Sequence, residues 1–165
     1  MRRIISVLME NEPGALSRIS GLFSQRGYNV DSLCVTTTTD PTLSRLTITT
    51  HGDDKVIEQI TKQINKLVDV FKVSDLTEGA HVERELMLIK VATPTESIRS
   101  EVKRNVDIFR GQIVDVHAKN YTIQVTGTSD KLDAFLSTMT EYSDVIEASR
   151  TGVCGLARGE KALKI

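Results

Sequence analysis

The chain has 165 residues, of which 39% are apolar and 26% charged, and this composition excludes a collagen, a coiled coil and a disordered chain. Lys and Arg number 21 against 22 for Asp and Glu, so the net charge of -1 gives no broad attraction to nucleic acid or anionic lipid. The apolar stretch after Arg3 stops at Glu10, well short of the roughly 18 residues of a membrane helix and too early for a signal peptide. We therefore expect a cytoplasmic protein with one domain or two small ones.

The first half of the chain alternates strand and helix patterns. Leu16, Ile19 and Phe23 recur at helical spacing, and Gly27 suits a left-handed cap at the end of that helix. The predicted elements are a strand over 3–9, a helix from the turn at 10–14 to Gly27, a hairpin formed by 30–39 and the alternating segment around 45–49, a helix that opens at 52–53, and a strand over 68–73. This order is βαββαβ.

The same order recurs after a polar, glycine-containing segment. The predicted elements are a strand over 86–92, a helix with apolar positions between 98 and 109, a hairpin over 112–118 and 121–126, a helix lined by 132, 135 and 139, and a strand over 145–149. We predict an α+β fold of two ferredoxin-like βαββαβ domains, over 1–77 and 86–150, with a linker at 78–85 and a flexible tail at 151–165. Because each domain has only about 75 residues, its core is marginal, and association of domains or chains is expected.

The first helix of each half starts differently. Thr93, Pro94 and Glu96 match a capping box with proline at the first helical position, so side chains satisfy the free N–H groups there. In the first half Asn11 can cap, but Gly14 stands where the closing Glu or Gln would be. The open N–H groups of residues 14–16 and the helix dipole suit a small anion such as a carboxylate. A tight strand-to-helix turn made by Pro13 and Gly14 explains the same residues without a ligand.

A second amide side chain, Asn29, stands at the start of the second strand, which we place beside the end of the sheet that carries the loop. An asparagine both donates and accepts hydrogen bonds, so Asn11 and Asn29 together could bind a zwitterion. A turn residue after Gly27 is an equally good interpretation of Asn29.

The sequence offers no catalytic or metal-binding pattern. His51, His81 and His117 are far apart, and Cys34 and Cys154 lack CxxC spacing, so we interpret the thiols as buried or idle and predict neither a catalytic residue nor a metal site. No phosphate-binding loop is present. The βαββαβ order also serves RNA-recognition domains, but the central strands carry no aromatic residue on which bases could stack.

Two segments at the first turn resemble a known family. Residues 10–18 (ENEPGALSR) and 21–29 (GLFSQRGYN) are similar to the start of an ACT domain, most closely that of the small regulatory subunits of acetohydroxyacid synthase, also called acetolactate synthase. The resemblance continues through 69–73, 75–77 and 83–86 and covers nearly the whole chain, although residues 152–165 carry less of it.

This resemblance implies a subunit without catalysis of its own that binds the catalytic large subunit, raises its activity and makes it sensitive to valine. Thiamine diphosphate, Mg and FAD are then expected on the large subunit and no cofactor on this chain. The resemblance also implies a homodimer formed through the ACT domains, with valine bound between two chains. By position, Asn11, Gly14, Ala15 and Leu16 of one chain would hold the charged ends of valine, and Asn29 of the partner would close the site.

Two other classes of function are alternatives to this one. A small enzyme of the acylphosphatase type, on the same kind of scaffold, would need an arginine in the first strand-to-helix loop, whereas Arg18 falls inside the predicted helix. A nucleic-acid or metal-responsive regulator is opposed by the near-neutral charge, the scarce aromatic residues and the scattered metal-ligand types.

Overall fold

The computed structural model describes all of residues 1–165, which form two units, one of residues 1–83 with 153–165 and one of residues 84–152. The N-terminal unit contains β1 (Arg2–Glu10), α1 (Ala15–Arg26), β2 (Ser32–Thr37), β3 (Leu43–His51), α2 (Asp54–Asn65), β4 (Val70–Asp75), a 3-10 turn (Leu76–Glu78) and, from the end of the chain, β9 (Cys154–Ala157). The second unit contains most of β5 (His81–Ala92), with α3 (Glu96–Ile108), β6 (Gln112–His117), β7 (Asn120–Gly127), α4 (Ser129–Tyr142) and β8 (Val145–Arg150).

In the N-terminal unit the strands form an antiparallel sheet in the order β2-β3-β1-β4. Alternate residues of the two central strands, such as Val7 and Leu46, are buried against an apolar stripe on each helix, with Ile19 in α1 and Ile60 in α2 at its centre. The helices therefore cover one face of the sheet, and β2 and β4 are its edges. Gly27 ends α1 in the left-handed conformation, at φ 68, as the sequence predicts.

The C-terminal segment packs on the other face of this sheet. Val153 joins Ile4 and Leu76 in a small apolar cluster, and β9 lies along the beginning of β5, where the N–H of Arg158 donates to the carbonyl of Ala80 at 2.8 Å. The expected flexible tail is thus wrong for residues 153–157, and the expected linker contains the start of a strand. β9 has only four residues and none of them is fully buried, so the sequence there is too short and too weakly apolar to show a strand period.

The second unit repeats the arrangement with the sheet order β6-β7-β5-β8. Its core joins the inner residues of the central strands, including Ile89 and Ile123, to Val106 in α3 and Phe135 in α4. Both units therefore have the βαββαβ layout, and the predicted α+β class of two ferredoxin-like domains is confirmed. None of the four helices combines the length and the apolar character that a membrane span requires.

Three of the four helices begin with a side-chain cap. Asp53 accepts a hydrogen bond from the N–H of Val56, and Thr128 caps α4 in the same way. The predicted capping box of the second unit is misplaced, because α3 is capped by Thr95, whose hydroxyl accepts from Ile98 N–H at 3.3 Å. Thr93 is buried instead, two residues before the N-cap.

A buried ion pair fixes β8 in the second unit. Arg150 donates two hydrogen bonds to the carboxylate of Glu85, at 3.0 and 2.8 Å, and the Glu85 side chain is only 5% exposed. These hydrogen bonds raise the pKa of Arg150, so its guanidinium stays protonated. Asp133 adds a more exposed contact to the same guanidinium.

Candidate functional site

The loop between β1 and α1 is anchored to the hairpin that joins β2 and β3. The Asn11 N–H donates to the carbonyl of Thr42 at 2.8 Å, and the Asn11 side-chain amide donates to the carbonyl of Pro41 at 2.9 Å. The side-chain oxygen of Asn11 accepts from the hydroxyl of Ser44 at 3.1 Å. Asn11 therefore positions the loop, and the prediction that it caps α1 is wrong.

The residue at the N-cap of α1 is Gly14, which has φ 89 and ψ -12 and provides no side chain to cap the helix. The left-handed backbone there explains why glycine occupies the position. The N–H of Ala15 donates to the carbonyl of Glu12 at 3.2 Å, whereas those of Gly14, Leu16 and Ser17 have no acceptor within the protein. The open helix end inferred from the sequence is present, but the free amides belong to residues 14, 16 and 17, not to 14, 15 and 16.

The predicted site residues on this loop differ in exposure. Asn11, Gly14 and Leu16 are exposed, while the side chain of Ala15 is 1% exposed and packs in the core beneath the helix. Ala15 therefore offers a ligand only its backbone.

A charged side chain that the sequence analysis places inside the helix reaches back over this end. Arg18 forms a two-pronged ion pair with Asp69, in which Nη2 donates to Oδ1 at 2.8 Å and Nε donates to Oδ2. A Cβ added at Gly14 would lie 3.0 Å from Nη1 of Arg18. The guanidinium of Arg18 thus lies directly over the backbone at Gly14, and a side chain at position 14 would have to push that guanidinium aside.

The Arg18–Asp69 pair shifts both ionisation equilibria towards the charged forms. The hydrogen bonds from Arg18 lower the pKa of Asp69, and those same bonds, with a smaller effect of nearby Glu10, raise the pKa of Arg18. The Asp69 side chain is 6% exposed, and its backbone carbonyl accepts the N–H of Glu10 at 2.8 Å. Asp69 therefore fixes both the end of β1 and the guanidinium above Gly14.

Arg18 and Asp69 are not among the site residues predicted from the sequence. The available signal was the four-residue spacing from Gly14 to Arg18, which brings a long side chain back to the first turn of a helix. Nothing in the sequence pairs that arginine with a residue 51 positions away.

Asn29 lies at the opposite end of the sheet from the loop. Its carbonyl accepts the hydroxyl of Thr50 at 2.6 Å, whereas Asn11 contacts Ser44, and Ser44 and Thr50 are separated along β3 by about 20 Å. Its side-chain amide donates to the carboxylate of Asp31 at 2.9 Å. The expectation that both amides lie at one end of the sheet is wrong, and one chain alone cannot bring them to the same ligand.

The edge strand β2 leaves apolar side chains partly uncovered. Leu33 and Val35 pair with Ile48 and Leu46 on the helix-covered face of the sheet, yet 36% and 37% of their surfaces remain exposed. An edge with free backbone groups and uncovered apolar residues is a typical surface for pairing with another strand.

The chain is similar along its whole length to proteins of known family. A family model described as the small subunit of acetolactate synthase matches residues 84–159, and one described as an AHAS small subunit-like ACT domain matches residues 5–72. The chain is 61% identical over 164 residues to the acetolactate synthase isozyme 3 small subunit of Salmonella typhimurium, covering 99% of this chain and 100% of that protein. The chain belongs to the acetolactate synthase small-subunit family.

Two further comparisons support the same family assignment. The acetolactate synthase isozyme 3 small subunit of Escherichia coli is 60% identical over 164 residues, with the same coverage. The crystal structure of the acetolactate synthase small subunit from Thermotoga maritima is 40% identical and superposes with a TM-score of 0.86, covering 98% of this chain and 99% of that one. These comparisons identify the chain as a small subunit of an acetolactate synthase.

The geometry of the loop gives no support to the acylphosphatase alternative. The single arginine near the loop, Arg18, is neutralised by Asp69 through two hydrogen bonds, so it is not free to hold a phosphate. No group of three or more His, Cys, Asp or Glu residues is arranged to hold a metal ion. Cys34 is half-buried and Cys154 is exposed, and neither forms a disulfide.

Proposed function

We propose that this chain activates the catalytic large subunit of an acetolactate synthase and makes that enzyme sensitive to inhibition by valine. The chain supplies no catalytic group and no cofactor, so thiamine diphosphate, Mg and FAD would be held by the large subunit. The observation that carries the valine-sensing role is the open end of α1, where three N–H groups beside Gly14 have no acceptor in the protein. This role fits a cytoplasmic enzyme of branched-chain amino-acid biosynthesis.

In this proposal the carboxylate of valine accepts hydrogen bonds from the free N–H groups of Gly14, Leu16 and Ser17 at the positive end of the helix dipole. Asn11 contributes the hydrogen-bonding capacity that the hairpin leaves unused, one N–H and one lone pair of its side-chain amide. The charge of Arg18 is taken up by Asp69, so the ligand's carboxylate depends on backbone donors.

A second copy of the chain would complete the site. Two β2 strands paired antiparallel about a two-fold axis would cover the exposed sides of Leu33 and Val35 and form one continuous sheet. Such pairing brings opposite ends of the two sheets together, so Asn29 of the partner approaches the Asn11 loop. The 20 Å separation within one chain is then expected, because the ligand lies between two chains.

Valine bound between two chains would stabilise one arrangement of the dimer. It can change the activity of the large subunit only to the extent that it prefers that arrangement, and such coupling is typically about 1–3 kcal/mol. We propose that the valine-bound dimer supports the large subunit less well than the free dimer does.

The test is calorimetric titration of valine into the purified chain. Wild type should release heat with saturation, and Asn11→Ala should weaken binding about tenfold or more, because the loop loses its anchor on the hairpin and an amide contact. Gly14→Asp should abolish binding, because its carboxylate would occupy the place of the ligand's carboxylate and repel it.

Asn65→Ala provides the matched control, since Asn65 is an exposed asparagine at the end of α2, away from the loop. This variant should bind valine as wild type does. Equal heats for wild type and Asn11→Ala would place the valine site elsewhere.

A further inference from the structure

A pocket of about 500 Å³ lies on the face of the N-terminal sheet that the helices leave uncovered, between that sheet and the C-terminal segment. Its lining contains three cations and no acidic residue, together with apolar side chains. The residues that matter here are Arg45, Lys72, Lys161, Leu76, Leu156 and Leu163. None of them belongs to the loop at Gly14.

The register of the sheet explains why two of the cations face each other. Arg45 in β3 and Lys72 in β4 both pair with Leu8 of the central strand β1, so the three side chains form one row across the sheet. Two strand spacings put the Cα atoms of Arg45 and Lys72 about 10 Å apart. Long side chains at that separation can both reach one bound group.

The three cations are not neutralised by the protein. Arg45 donates one hydrogen bond to the carbonyl of Gly155 at 2.9 Å, Lys72 makes a long contact of 3.5 Å to the carbonyl of Lys164, and Lys161 has no ion pair. Half-burial of the Arg45 guanidinium lowers its pKa, the direction expected for a cation that has lost water without gaining an anion. The other strongly held arginines of this chain, Arg18 and Arg150, each have a carboxylate partner.

The pocket also contains apolar surface that the chain leaves uncovered. Leu156 projects from β9 with 60% of its surface exposed, whereas Leu76 at the base of the pocket is 4% exposed. A hydrated inorganic anion would satisfy the cations and leave this leucine in water. An anion with an apolar body would cover both kinds of surface.

From these observations we infer that the pocket between β3, β4 and the C-terminal segment binds an amphipathic organic anion, with a carboxylate or phosphate head held by Arg45, Lys72 and Lys161 and an apolar body packed against the leucines. This site is separate from the proposed valine site and does not depend on it. The anion ties the C-terminal segment to the sheet, because its head bridges β3 and β4 to Lys161.

The test follows amide and methyl NMR signals of the labelled full-length chain during titration with four probes: hexanoate, hexyl phosphate, hexanol and inorganic phosphate. Hexanoate or hexyl phosphate should shift the signals of Leu156 and Leu163, and comparison of the two identifies the preferred head. Hexanol and inorganic phosphate should bind at least about tenfold more weakly, since each lacks one of the two kinds of contact. Added salt should weaken binding of the charged probes, because two of the cations are exposed.

Two variants locate the site. Arg45→Met should weaken the better probe about tenfold or more, through loss of a charge-assisted hydrogen bond. Lys161→Gln should weaken binding of the same probe several-fold. This variant replaces Arg45→Met as the test if the latter disturbs β9, since Lys161 makes no ion pair within the chain. Lys55→Gln, at an exposed lysine of α2, should leave the affinity for that probe unchanged.

Equal affinity for hexanol and the two charged probes would overturn the inference, because the pocket would then be merely apolar. Failure of both charged probes to shift any lining residue would overturn it as well. Unchanged affinity in both Arg45→Met and Lys161→Gln would show that the anion binds elsewhere.

Discussion

At the scale of single residues, the arrangement around Gly14 separates two tasks. The ion pair with Asp69 holds the Arg18 guanidinium over the backbone at Gly14. The N–H groups of the backbone beneath it remain free. A ligand carboxylate at this place would meet oriented amides and not a free arginine, which favours a small zwitterion over a phosphate. Two features together explain why position 14 is a glycine: the left-handed φ of its backbone and the closeness of the Arg18 guanidinium.

The Arg18–Asp69 pair predicts an acid-sensitive contribution to the stability of the N-terminal unit. Because the pKa of Asp69 is lowered in the folded state, the pair's contribution is present above about pH 4 and is lost as the pH falls through the folded value. Arg18→Gln should therefore be less stable than wild type at neutral pH, and this difference should narrow towards pH 3. Urea unfolding at a series of pH values measures it.

Lys62→Gln is the control for this prediction, because the Lys62–Glu58 pair is exposed on both sides and its loss should leave the pH profile unchanged. Asp40 and Glu83 also have lowered pKa values and titrate in both proteins, so only the difference between wild type and Arg18→Gln reports on Asp69. A difference that stays constant from pH 7 to 3 would contradict the assignment.

At the scale of elements, the apolar periodicity predicted eight of the nine strands and all four α-helices. It did not predict features that depend on which partner a polar side chain chooses. Leu16, Ile19 and Phe23 predicted α1, but its N-cap depended on whether the Asn11 side chain turned to the helix or to the hairpin. Several polar partners compete for one amide, so local sequence alone does not fix the choice. The strand at 154–157 escaped prediction because it is four residues long and pairs with a distant segment.

The ion pair between β5 and β8 predicts a large local effect on the second unit. Arg150→Met should lower the free energy of unfolding by about 3 kcal/mol, because it leaves the buried Glu85 carboxylate without its charge partner. Asp133→Asn, which removes the exposed partner of the same arginine, should cost less than about 1 kcal/mol. Urea denaturation followed through amide signals of residues 84–152 distinguishes the two, and equal losses would contradict the account.

At the scale of the whole molecule, the two units share a fold but differ at the start of their first helices. The second unit closes α3 with Thr95, whereas the first leaves α1 open at Gly14. The sequence was sufficient to predict this asymmetry, since it depends on residue types at fixed positions. The position of Asn29 also follows from the predicted βαββαβ order, because β1 and β2 then run parallel and β2 starts at the end of the sheet opposite the β1–α1 loop; the expected position of Asn29 misapplied that topology. The sequence of one chain does not position the second chain that the proposed site needs.

The most direct measurement is the rate at which the large subunit forms acetolactate from pyruvate, assayed alone, with this chain, and with this chain and valine. We predict no turnover by this chain alone, a higher rate when it is mixed with the large subunit, and a fall in that rate on addition of valine. A rate that is the same with and without this chain, or acetolactate formed by this chain alone, would contradict the proposed function.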